Sequence, residues 1–473
     1  MKSIILLGLG MVPVWAGTTY VYSTDTRPYR NCSVHVALAN GGGFRALPDG
    51  VYPQPEPNGF LEFQHSVTVT DPGPFLYTTH TNPGVIYGYR RFLDGHLELL
   101  PNFPYYLPLG PNNLETSPIW LTKHPSKPIL YSSNVFNHGI SVFQIETNGS
   151  FSPTQTLILG ELYTGYAPQA LALSPDGSNL FVNCYQGDGI LSIAVDPVTG
   201  ELGTPAFAAS LPGHGRGLVL SEDGQYLYAT VVGGGQVYSF HVQGSSLTPL
   251  ATPSFPLPND GIWLFRKGNL IAVGGYETRI IVMYQIGPNG FLSLSPGSPH
   301  QTGIDFITIY AAFDEENRMF VGGNGLRSAF SVSPQGQLTP LLGSPLDVGS
   351  EAFFGVSVSP EVIGDPYSLD FAGFPRRGDP YLRIQGDPNS LFALQIGDEC
   401  QADLWTDASG RFVYPSEPLV GTTVQIKAYC SDEAVIREVV FPPRTVPTLS
   451  TWGLLALTTL LMTLALCIRR RLA

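Results

Sequence analysis

One short segment of the chain combines residue types that could carry out acid–base chemistry. His214 and Arg216 stand two residues apart in the stretch Gly213-His214-Gly215-Arg216-Gly217-Leu218. A guanidinium group can bind a phosphate or a carboxylate through two parallel hydrogen bonds, and an imidazole can act as a general base. The alternative interpretation, which the flanking glycines favour, makes both residues part of a loop rim between glycine hinges.

Other combinations of reactive side chains are weaker. Asp260, Asp305 and Glu351 each precede a predicted strand and could form an acidic ring for a metal or a sugar, but we favour solvated loop acids. The nine His form no HExxH motif and no pair at metal-ligand spacing. A nucleophile elbow, a phosphate-binding glycine loop and a dinucleotide fingerprint are also missing from the sequence. We therefore expect neither a cofactor nor a metal.

A repeated pattern of strands and turns positions these residues. Its clearest copies begin at Gln169, as Gln-Ala-Leu-Ala-Leu-Ser-Pro-Asp-Gly, and at Arg216, as Arg-Gly-Leu-Val-Leu-Ser-Glu-Asp-Gly. In each copy an apolar strand ends in a turn, and a Leu-Phe or Leu-Tyr strand, an alternating strand and a glycine hairpin follow. Each copy therefore predicts four strands, and Arg216 opens the first strand of its copy.

The copies can be counted in two independent ways. The hairpin glycines between third and fourth strands are Gly43, Gly95, Gly149, Gly200, Gly244, Gly290 and Gly336. They recur 44 to 54 residues apart, a spacing that is typical of four-stranded propeller blades. The first strands also number seven, starting near Ser66, Ile119, Gln169, Arg216, Gly261, Phe306 and Phe353. The chain opens with a second strand at Thr19 and closes with a spare first strand at Phe353, and pairing the two completes a ring. We predict an all-β seven-bladed β-propeller over residues 17–372.

Around Ser174 and Ser221 the chain resembles the seven-bladed lactonase-like propellers, which include cytosolic 6-phosphogluconolactonase and the surface-layer YVTN repeat proteins. The resemblance covers roughly residues 18–372 and rests on Ser-Pro-Asp-Gly, Leu-Tyr or Leu-Phe, and Thr-Gly-Glu-Leu. Sugar-lactonase members carry a Gly-Pro-Arg-His-like segment where a first strand enters the central channel. In this chain Arg216 matches the Arg of the family segment, and Gly217 stands where the family has its His. The nearby His of this chain, His214, precedes the Arg instead of following it. Because the matching residues are turn and packing residues, the resemblance implies the fold more than the activity.

Both ends of the chain predict export. Lys2, the apolar run from Ile4 to Val14 and the small-residue site at Ala16 indicate a signal peptide at residues 1–16, with a buried strand as the alternative. At the other end, residues 446–468 carry no charge, are long enough to span a bilayer as a helix and precede Arg469-Arg470-Arg471. Because positive residues stay on the cytoplasmic side, the bulk of the chain is expected outside.

The segment before this predicted helix has a more specific pattern. Together with the predicted helix and the arginines, this segment resembles the IPTL-CTERM sorting signal of Gram-negative bacteria over residues 446–473. The motif residues that carry the resemblance are Val446, Pro447, Thr448, Leu449, Trp452 and Gly453. The family usually begins this motif with Ile, where this chain has Val446. The resemblance implies an inner-membrane intermediate, processing by an exosortase-type enzyme, and display on the cell surface or release. The alternative is a plain C-terminal anchor.

Between the propeller and the tail, residues 376–443 indicate a different unit. Its Asp-Ala-Ser-Gly-Arg-Phe turn at 407–412, followed by Gly-Thr-Thr-Val at 421–424 and an alternating strand, is similar to small bacterial immunoglobulin-like modules. Such a module is expected to act as a spacer between the propeller and the membrane.

The five cysteines suit an oxidising compartment. Cys467 lies in the predicted membrane helix, and Cys400 and Cys430 are the two that stand close together within one predicted unit. A disulfide between them would close a loop of about 30 residues and contribute roughly 3 to 4 kcal/mol. Cys32 and Cys184 are predicted to be lone buried thiols on strands.

Composition and charge limit the classes of function. Of the 473 residues, 43% are hydrophobic and 13% charged, with 53 Gly and 42 Pro, so a disordered tail and a large helical bundle are excluded. The formal net charge of −13 argues against a nucleic-acid partner. We therefore expect an exported binding protein, displayed on the surface or secreted, whose propeller loop faces take a protein or glycan ligand without a catalytic set. The alternative is a lactonase-like hydrolase that uses Arg216 and His214 on an extracytoplasmic lactone.

Overall fold

Antiparallel β-strands build the fold, as the alternating sequence predicts. The structure is a computed structural model. It describes residues 19–27, 30–40, 43–54, 62–69, 75–82, 84–92, 95–109, 116–146, 148–159, 165–187, 189–250, 261–275, 279–304, 310–323, 326–347, 353–359, 370–371, 381–385, 391–396, 399–405, 411–415, 423–427 and 435–440. Within these ranges no helix is long and apolar enough to cross a membrane.

The strands are numbered in chain order. The first sixteen are β1 (Thr19–Arg27), β2 (Arg30–Asn40), β3 (Gly43–Pro53), β4 (Glu62–Val69), β5 (Phe75–Asn82), β6 (Gly84–Arg91), β7 (Leu97–Leu99), β8 (Tyr105–Tyr106), β9 (Pro118–Lys123), β10 (Ile129–Asn134), β11 (Gly139–Ile145), β12 (Phe151–Ile158), β13 (Ala167–Leu173), β14 (Asn179–Gln186), β15 (Gly189–Val195) and β16 (Leu202–Ser210). The next fifteen are β17 (Gly215–Leu220), β18 (Tyr226–Val231), β19 (Tyr238–Gln243), β20 (Ser246–Pro249), β21 (Gly261–Lys267), β22 (Leu270–Gly275), β23 (Ile280–Ile286), β24 (Leu292–Leu294), β25 (His300–Gln301), β26 (Tyr310–Phe313), β27 (Arg318–Gly322), β28 (Leu326–Val332), β29 (Leu338–Pro340), β30 (Leu346–Asp347) and β31 (Phe353–Ser359). The last seven are β32 (Asp370–Phe371), β33 (Tyr381–Gln385), β34 (Leu391–Ile396), β35 (Glu399–Trp405), β36 (Arg411–Pro415), β37 (Thr423–Lys427) and β38 (Val435–Val440).

Seven sheets, each with a path of four strands, make up the described part of the first unit, Met1–Val362. We number these blades from the one that holds the N-terminal strand. From first to fourth strand they are blade 1 (β31, β1, β2, β3), blade 2 (β4 to β7), blade 3 (β9 to β12), blade 4 (β13 to β16), blade 5 (β17 to β20), blade 6 (β21 to β24) and blade 7 (β26 to β29). The predicted all-β propeller with seven blades is confirmed.

Blade 1 is shared between the two ends of the propeller. The N-terminal β1 pairs with β31, and Val21 lies opposite Val358 in this ladder. A second contact joins blade 7 to blade 1, because Arg318 Nη2 donates a hydrogen bond to Thr19 Oγ1 at 2.7 Å. The predicted pairing of a second strand with a spare first strand therefore closes the ring.

The hydrophobic core lies between blades rather than at one centre. Each pair of neighbouring blades in the ring shares a cluster of buried side chains. The cluster between blades 7 and 1, for example, brings Phe320 against Phe44 with ring centroids 5.8 Å apart. Because burial depends on both neighbours, each blade is stabilised by the complete ring.

The hairpin glycines connect one blade to the next. Six of the seven glycines located from the sequence have a positive φ, which glycine tolerates without steric cost: Gly95, Gly149, Gly200, Gly244, Gly290 and Gly336. Buried tyrosines on second strands donate to three of their carbonyls at 2.8 Å: Tyr77 to Gly149, Tyr131 to Gly200, and Tyr228 to Gly290. In each case the tyrosine and the glycine belong to neighbouring blades. The repeated glycine thus serves both the hairpin and the contact between blades.

The described residues of the second unit, Ile363–Ala473, form seven strands, β32 to β38. They form one sheet in the order β32-β33-β36 and another in the order β35-β34-β37-β38. In this unit β32 pairs with β33, and the predicted domain boundaries stay predictions. The immunoglobulin-like character of residues 376–443 stays a prediction.

Candidate active site

Arg216 reaches into the central channel from the first strand of blade 5. Its Cζ atom lies 4.5 Å from the centre of the Tyr185 ring, which blade 4 supplies. Burial raises the pKa of Tyr310, the first residue of β26, and the charge of Arg216 opposes that rise. Tyr310 belongs to blade 7, two positions beyond Arg216 in the ring.

His214 lies beside the same tyrosine. Its ring centroid is 4.9 Å from that of Tyr185, with an angle of 31° between the ring planes. The loop that carries His214 is tied to blade 5, because the amide of Val232 donates to the His214 carbonyl at 2.8 Å. The side chain of His214 is exposed. The structure therefore brings both predicted residues against one ring at the channel mouth.

Two glycines determine how β17 enters this site. A Cβ atom at Gly215 would lie 1.8 Å from Asn183 Oδ1, and one at Gly217 would lie 2.7 Å from both the Ile262 carbonyl oxygen and the Leu264 amide nitrogen. These contacts allow no side chain at either position without a shift of the neighbouring strand. A side chain at Gly217 would also face blade 6 rather than the channel. The sequence difference from the lactonase-like pattern at Gly217 therefore has a steric reason in this chain.

Hydrogen bonds hold the glycines in place. Asn183 Nδ2 donates to the carbonyls of Gly217 and Thr230, at 2.9 and 3.1 Å. The Gly217 amide donates to Thr230 Oγ1 at 2.9 Å, and that hydroxyl donates to the Ile262 carbonyl at 2.6 Å. The ladder between β17 and β18 is irregular between Gly215 and Leu218, and such bulges change the direction of side chains. Arg216 thus projects from a backbone that blades 4, 5 and 6 fix together.

An aromatic stack spans the centre of the ring. Trp120 of β9 stacks on Trp263 of β21 with centroids 5.3 Å apart and planes at 18°. The ring of Tyr310 lies 5.0 Å from that of Trp263, and both side chains are 3% exposed. Because Trp120 and Trp263 come from blades 3 and 6, their contact crosses the channel. Together with Ile262, the rings form a buried apolar cluster.

The sequence around Arg216 matches the model of a known family. Residues 116–260 match the family model of the lactonase, 7-bladed beta-propeller. The matched range contains Trp120, Tyr185, His214 and Arg216. A search of the curated proteins finds no match to this chain.

Solved structures share the fold at low identity. The Pseudomonas aeruginosa periplasmic gluconolactonase is 18% identical with a TM-score of 0.58, and the alignment covers 72% of this chain and 99% of that one. A candidate 6-phosphogluconolactonase of Bacteroides fragilis is 15% identical with a TM-score of 0.55, covering 73% and 98%. A candidate 6-phosphogluconolactonase of Bacteroides uniformis is 14% identical with a TM-score of 0.55, covering 73% and 100%. At these identities the likeness shows the propeller fold alone.

The family match corrects one interpretation of the sequence. The expectation of a binding protein without a catalytic set is wrong, because the blades that carry His214 and Arg216 match a lactonase model. Turn and packing residues cannot separate the two interpretations, whereas the model matches a continuous stretch around the pocket. The findings favour the alternative, a lactonase-like hydrolase.

Sequence reasoning missed the aromatic residues of the pocket. The tripeptide Ile-Trp-Leu occurs twice, at 119–121 and 262–264, each time near the start of a first strand. This repetition could have indicated Trp120 and Trp263. Tyr185 and Tyr310 carry no comparable signal, because aromatic residues occur throughout the strands of this chain.

Several predicted residues lie outside the described residues. They are the signal peptide at 1–16, the acids Asp260, Asp305 and Glu351, Cys430, and the tail with Val446, Pro447, Thr448, Leu449, Trp452 and Gly453. The backbone of Cys400 is described on β35, opposite Gln395. Among the described side chains Cys184 is a free, buried thiol, as predicted, and no group of three His, Cys, Asp or Glu gathers as metal ligands.

Proposed function

We propose that this protein is a lactone hydrolase whose active site is the Arg216 pocket of the propeller channel. The observation that carries the proposal is the match of residues 116–260 to the lactonase model, since that range includes Tyr185, His214 and Arg216. The contacts of the two candidate residues with one tyrosine ring support it, because a general base and an electrostatic group must act on the same carbonyl.

Arg216 and His214 have complementary roles in the proposed reaction. The guanidinium of Arg216 donates hydrogen bonds to the lactone carbonyl and stabilises the negative charge that develops on its oxygen. His214 takes a proton from water as the water oxygen bonds to the carbonyl carbon. The bond between that carbon and the ring oxygen then breaks, and His214 returns the proton to the departing oxygen. The product is a hydroxy acid, and no oxidant or cofactor is consumed.

Tyr310 adds a neutral group to the surroundings of the proposed site. Burial raises the pKa of Tyr310, so its phenol stays protonated near neutral pH and remains a neutral neighbour of Arg216.

A lactone panel with matched variants tests this function. The full-length chain is assayed on glucono-δ-lactone, γ-butyrolactone and δ-valerolactone by acid release, with the spontaneous rate subtracted. We expect H214A and R216A to lower kcat/KM at least a hundredfold. His241→Ala is a matched control, because His241 also contacts a tyrosine, Tyr226, with centroids 5.6 Å apart but on the third strand of blade 5. Arg266→Ala controls for the loss of an arginine, since Arg266 faces Glu222 near the end of β21.

The outcomes separate the hypotheses. Loss of turnover in H214A and R216A with normal rates in both controls supports the proposed site. Turnover that survives in both site variants rejects these residues, and absence of turnover on every lactone rejects the function.

We further propose that the chain is exported and processed at its C-terminus. The signal-like residues 1–16 and the IPTL-CTERM-like tail at 446–473 support this route, which leads through the inner membrane and an exosortase-type enzyme to the cell surface or the medium. The periplasmic gluconolactonase named above has a similar fold and an extracytoplasmic location. Intact-mass measurement on protein from the native envelope should show loss of the tail, and full-length protein throughout would leave a plain anchor.

A further inference from the structure

Tyr185 connects the candidate active site to a second group of side chains on the same face of the propeller. Besides its contacts with His214 and Arg216, it packs against the buried cluster of Ile119, Val135 and Ala167. Val135 lies at the turn between β10 and β11, on the neighbouring blade 3. The residues of that turn therefore lie next to the ring that both candidate catalytic residues contact.

The turn presents a large apolar side chain to solvent. Phe136, which directly follows Val135, is 56% exposed. Hydrogen bonds fix the turn, since the Val135 amide donates to the Ser117 carbonyl at 3.0 Å and Asn137 Nδ2 donates to Thr116 Oγ1 at 3.2 Å. The exposure of Phe136 is thus a property of an ordered backbone.

A second exposed apolar residue lies at the same junction. Leu109 is 59% exposed and follows Pro108, whose carbonyl accepts a hydrogen bond from Thr116 Oγ1. Thr116 therefore joins the segment of Leu109 to the turn of Phe136. We call Leu109 and Phe136 the apolar rim.

We infer that the apolar rim binds an alkyl or acyl substituent of the lactone substrate while the lactone ring lies at Arg216. This inference rests on the proposed function and names its substrate class, a lactone that carries an apolar chain. A stable protein interface needs roughly 1,000 Å² of total buried area, which two side chains cannot supply. An apolar chain that extends from Arg216 over Tyr185 would run towards Phe136, which directly follows Val135 of the cluster that Tyr185 packs against.

The physical basis is the removal of methylene groups from water. Each methylene that the rim buries is expected to raise kcat/KM about two- to fourfold. Arg216 and His214 act on the lactone ring in the same way for all chain lengths. The dependence on chain length therefore reports on the rim and the absolute rate reports on the site.

The test measures kcat/KM of the full-length chain on γ-butyrolactone, γ-hexalactone, γ-octalactone and γ-decalactone, with glucono-δ-lactone as a polar reference that carries no alkyl chain. We expect a rise along the series in the wild type and a flattened series in Phe136→Ser and in Leu109→Ser. Phe207→Ser is the matched control, because Phe207 is 51% exposed but lies on β16, the fourth strand of blade 4. The control should keep the wild-type rise, and glucono-δ-lactone should be hydrolysed equally by all four proteins.

Two failures remain distinguishable. If the wild type hydrolyses glucono-δ-lactone without a rise along the alkyl series, or if both rim variants keep the full rise, the inference is overturned while the proposed function stands. If no lactone is hydrolysed, the proposed function fails and the inference fails with it. Thermal unfolding of each variant checks the fold, and a wild-type series without a rise overturns the inference even if a variant does not fold.

Discussion

Trp120 and Trp263 stack with ring centroids 5.3 Å apart although their strands belong to blades three positions apart in the ring. Neighbouring blades share the buried clusters of the core, so a contact between blades 3 and 6 must cross the channel. The stack therefore couples opposite sides of the propeller.

Loss of this stack should destabilise the whole ring. Trp120→Ala removes a large aromatic side chain and leaves a cavity, at an expected cost of about 3 to 5 kcal/mol in the free energy of unfolding. A double-mutant cycle with Trp263→Ala should give a coupling energy of about 0.5 to 3 kcal/mol, measured by urea unfolding. Phe291 serves as the control, because it is exposed and follows the hairpin of blade 6. The changes in the free energy of unfolding caused by Trp120→Ala and Phe291→Ala should be additive. Additivity in the Trp120 and Trp263 pair would show that the stack contributes nothing.

Gly217 should tolerate no side chain. In Gly217→Ala the new Cβ atom meets the backbone of β21 at 2.7 Å, so β17 or β21 must shift, at a cost of about 1 to 3 kcal/mol. The shift also displaces the adjacent Arg216, so kcat/KM on glucono-δ-lactone should fall together with the melting temperature. Gly203→Ala is the control, because its Cβ would meet nothing closer than 3.3 Å. Equal melting temperatures for the two variants would contradict this account.

Stability should fall as the pH drops from about 7.5 to 5.5. Burial lowers the pKa of His124, with a further contribution from Lys127, and burial also lowers the pKa of His300. Because the ordinary value is about 6.5, the unfolded chain takes up protons first as the pH falls through that range, which favours unfolding. The stabilisation is therefore present above the unfolded pKa and decreases below it. Urea unfolding at both pH values should show a smaller decrease in the double variant His124→Gln, His300→Gln, and an equal decrease would exclude these two residues as the cause.

Cys184 should be chemically inert in the folded protein. It is 0% exposed, and burial raises the pKa of its thiol well above the ordinary range. Because the thiolate is the reactive form, iodoacetamide should leave the Cys184 peptide unmodified in the native chain and modify it fully in 6 M guanidinium chloride. Peptide mass spectrometry reads this position separately from the other cysteines. Rapid native modification would mean that blade 4 opens locally.

The resemblance to lactonase-like propellers also shows where inference from residues alone reaches its limit. Gly217 occupies the position of a family His, and from the sequence this difference weakens the case for catalysis. The structure gives it a local cause, because β21 lies too close for a side chain there. His214 meanwhile contacts the same tyrosine as Arg216 through the fold, which residue spacing alone does not predict.

The number of blades, the ring closure by β1 and β31, and the hairpin glycines such as Gly200 are predictable from the residues alone. These features repeat about every 50 residues and depend on contacts within a blade or with the next one, so local periodicity encodes them. The contact of Trp120 with Trp263, and the contacts of Tyr185 with both His214 and Arg216, become visible in the folded chain alone. Those contacts depend on the diameter of the closed ring and on the direction of the side chains on the irregular first strands. The repeated sequence pattern specifies neither of them.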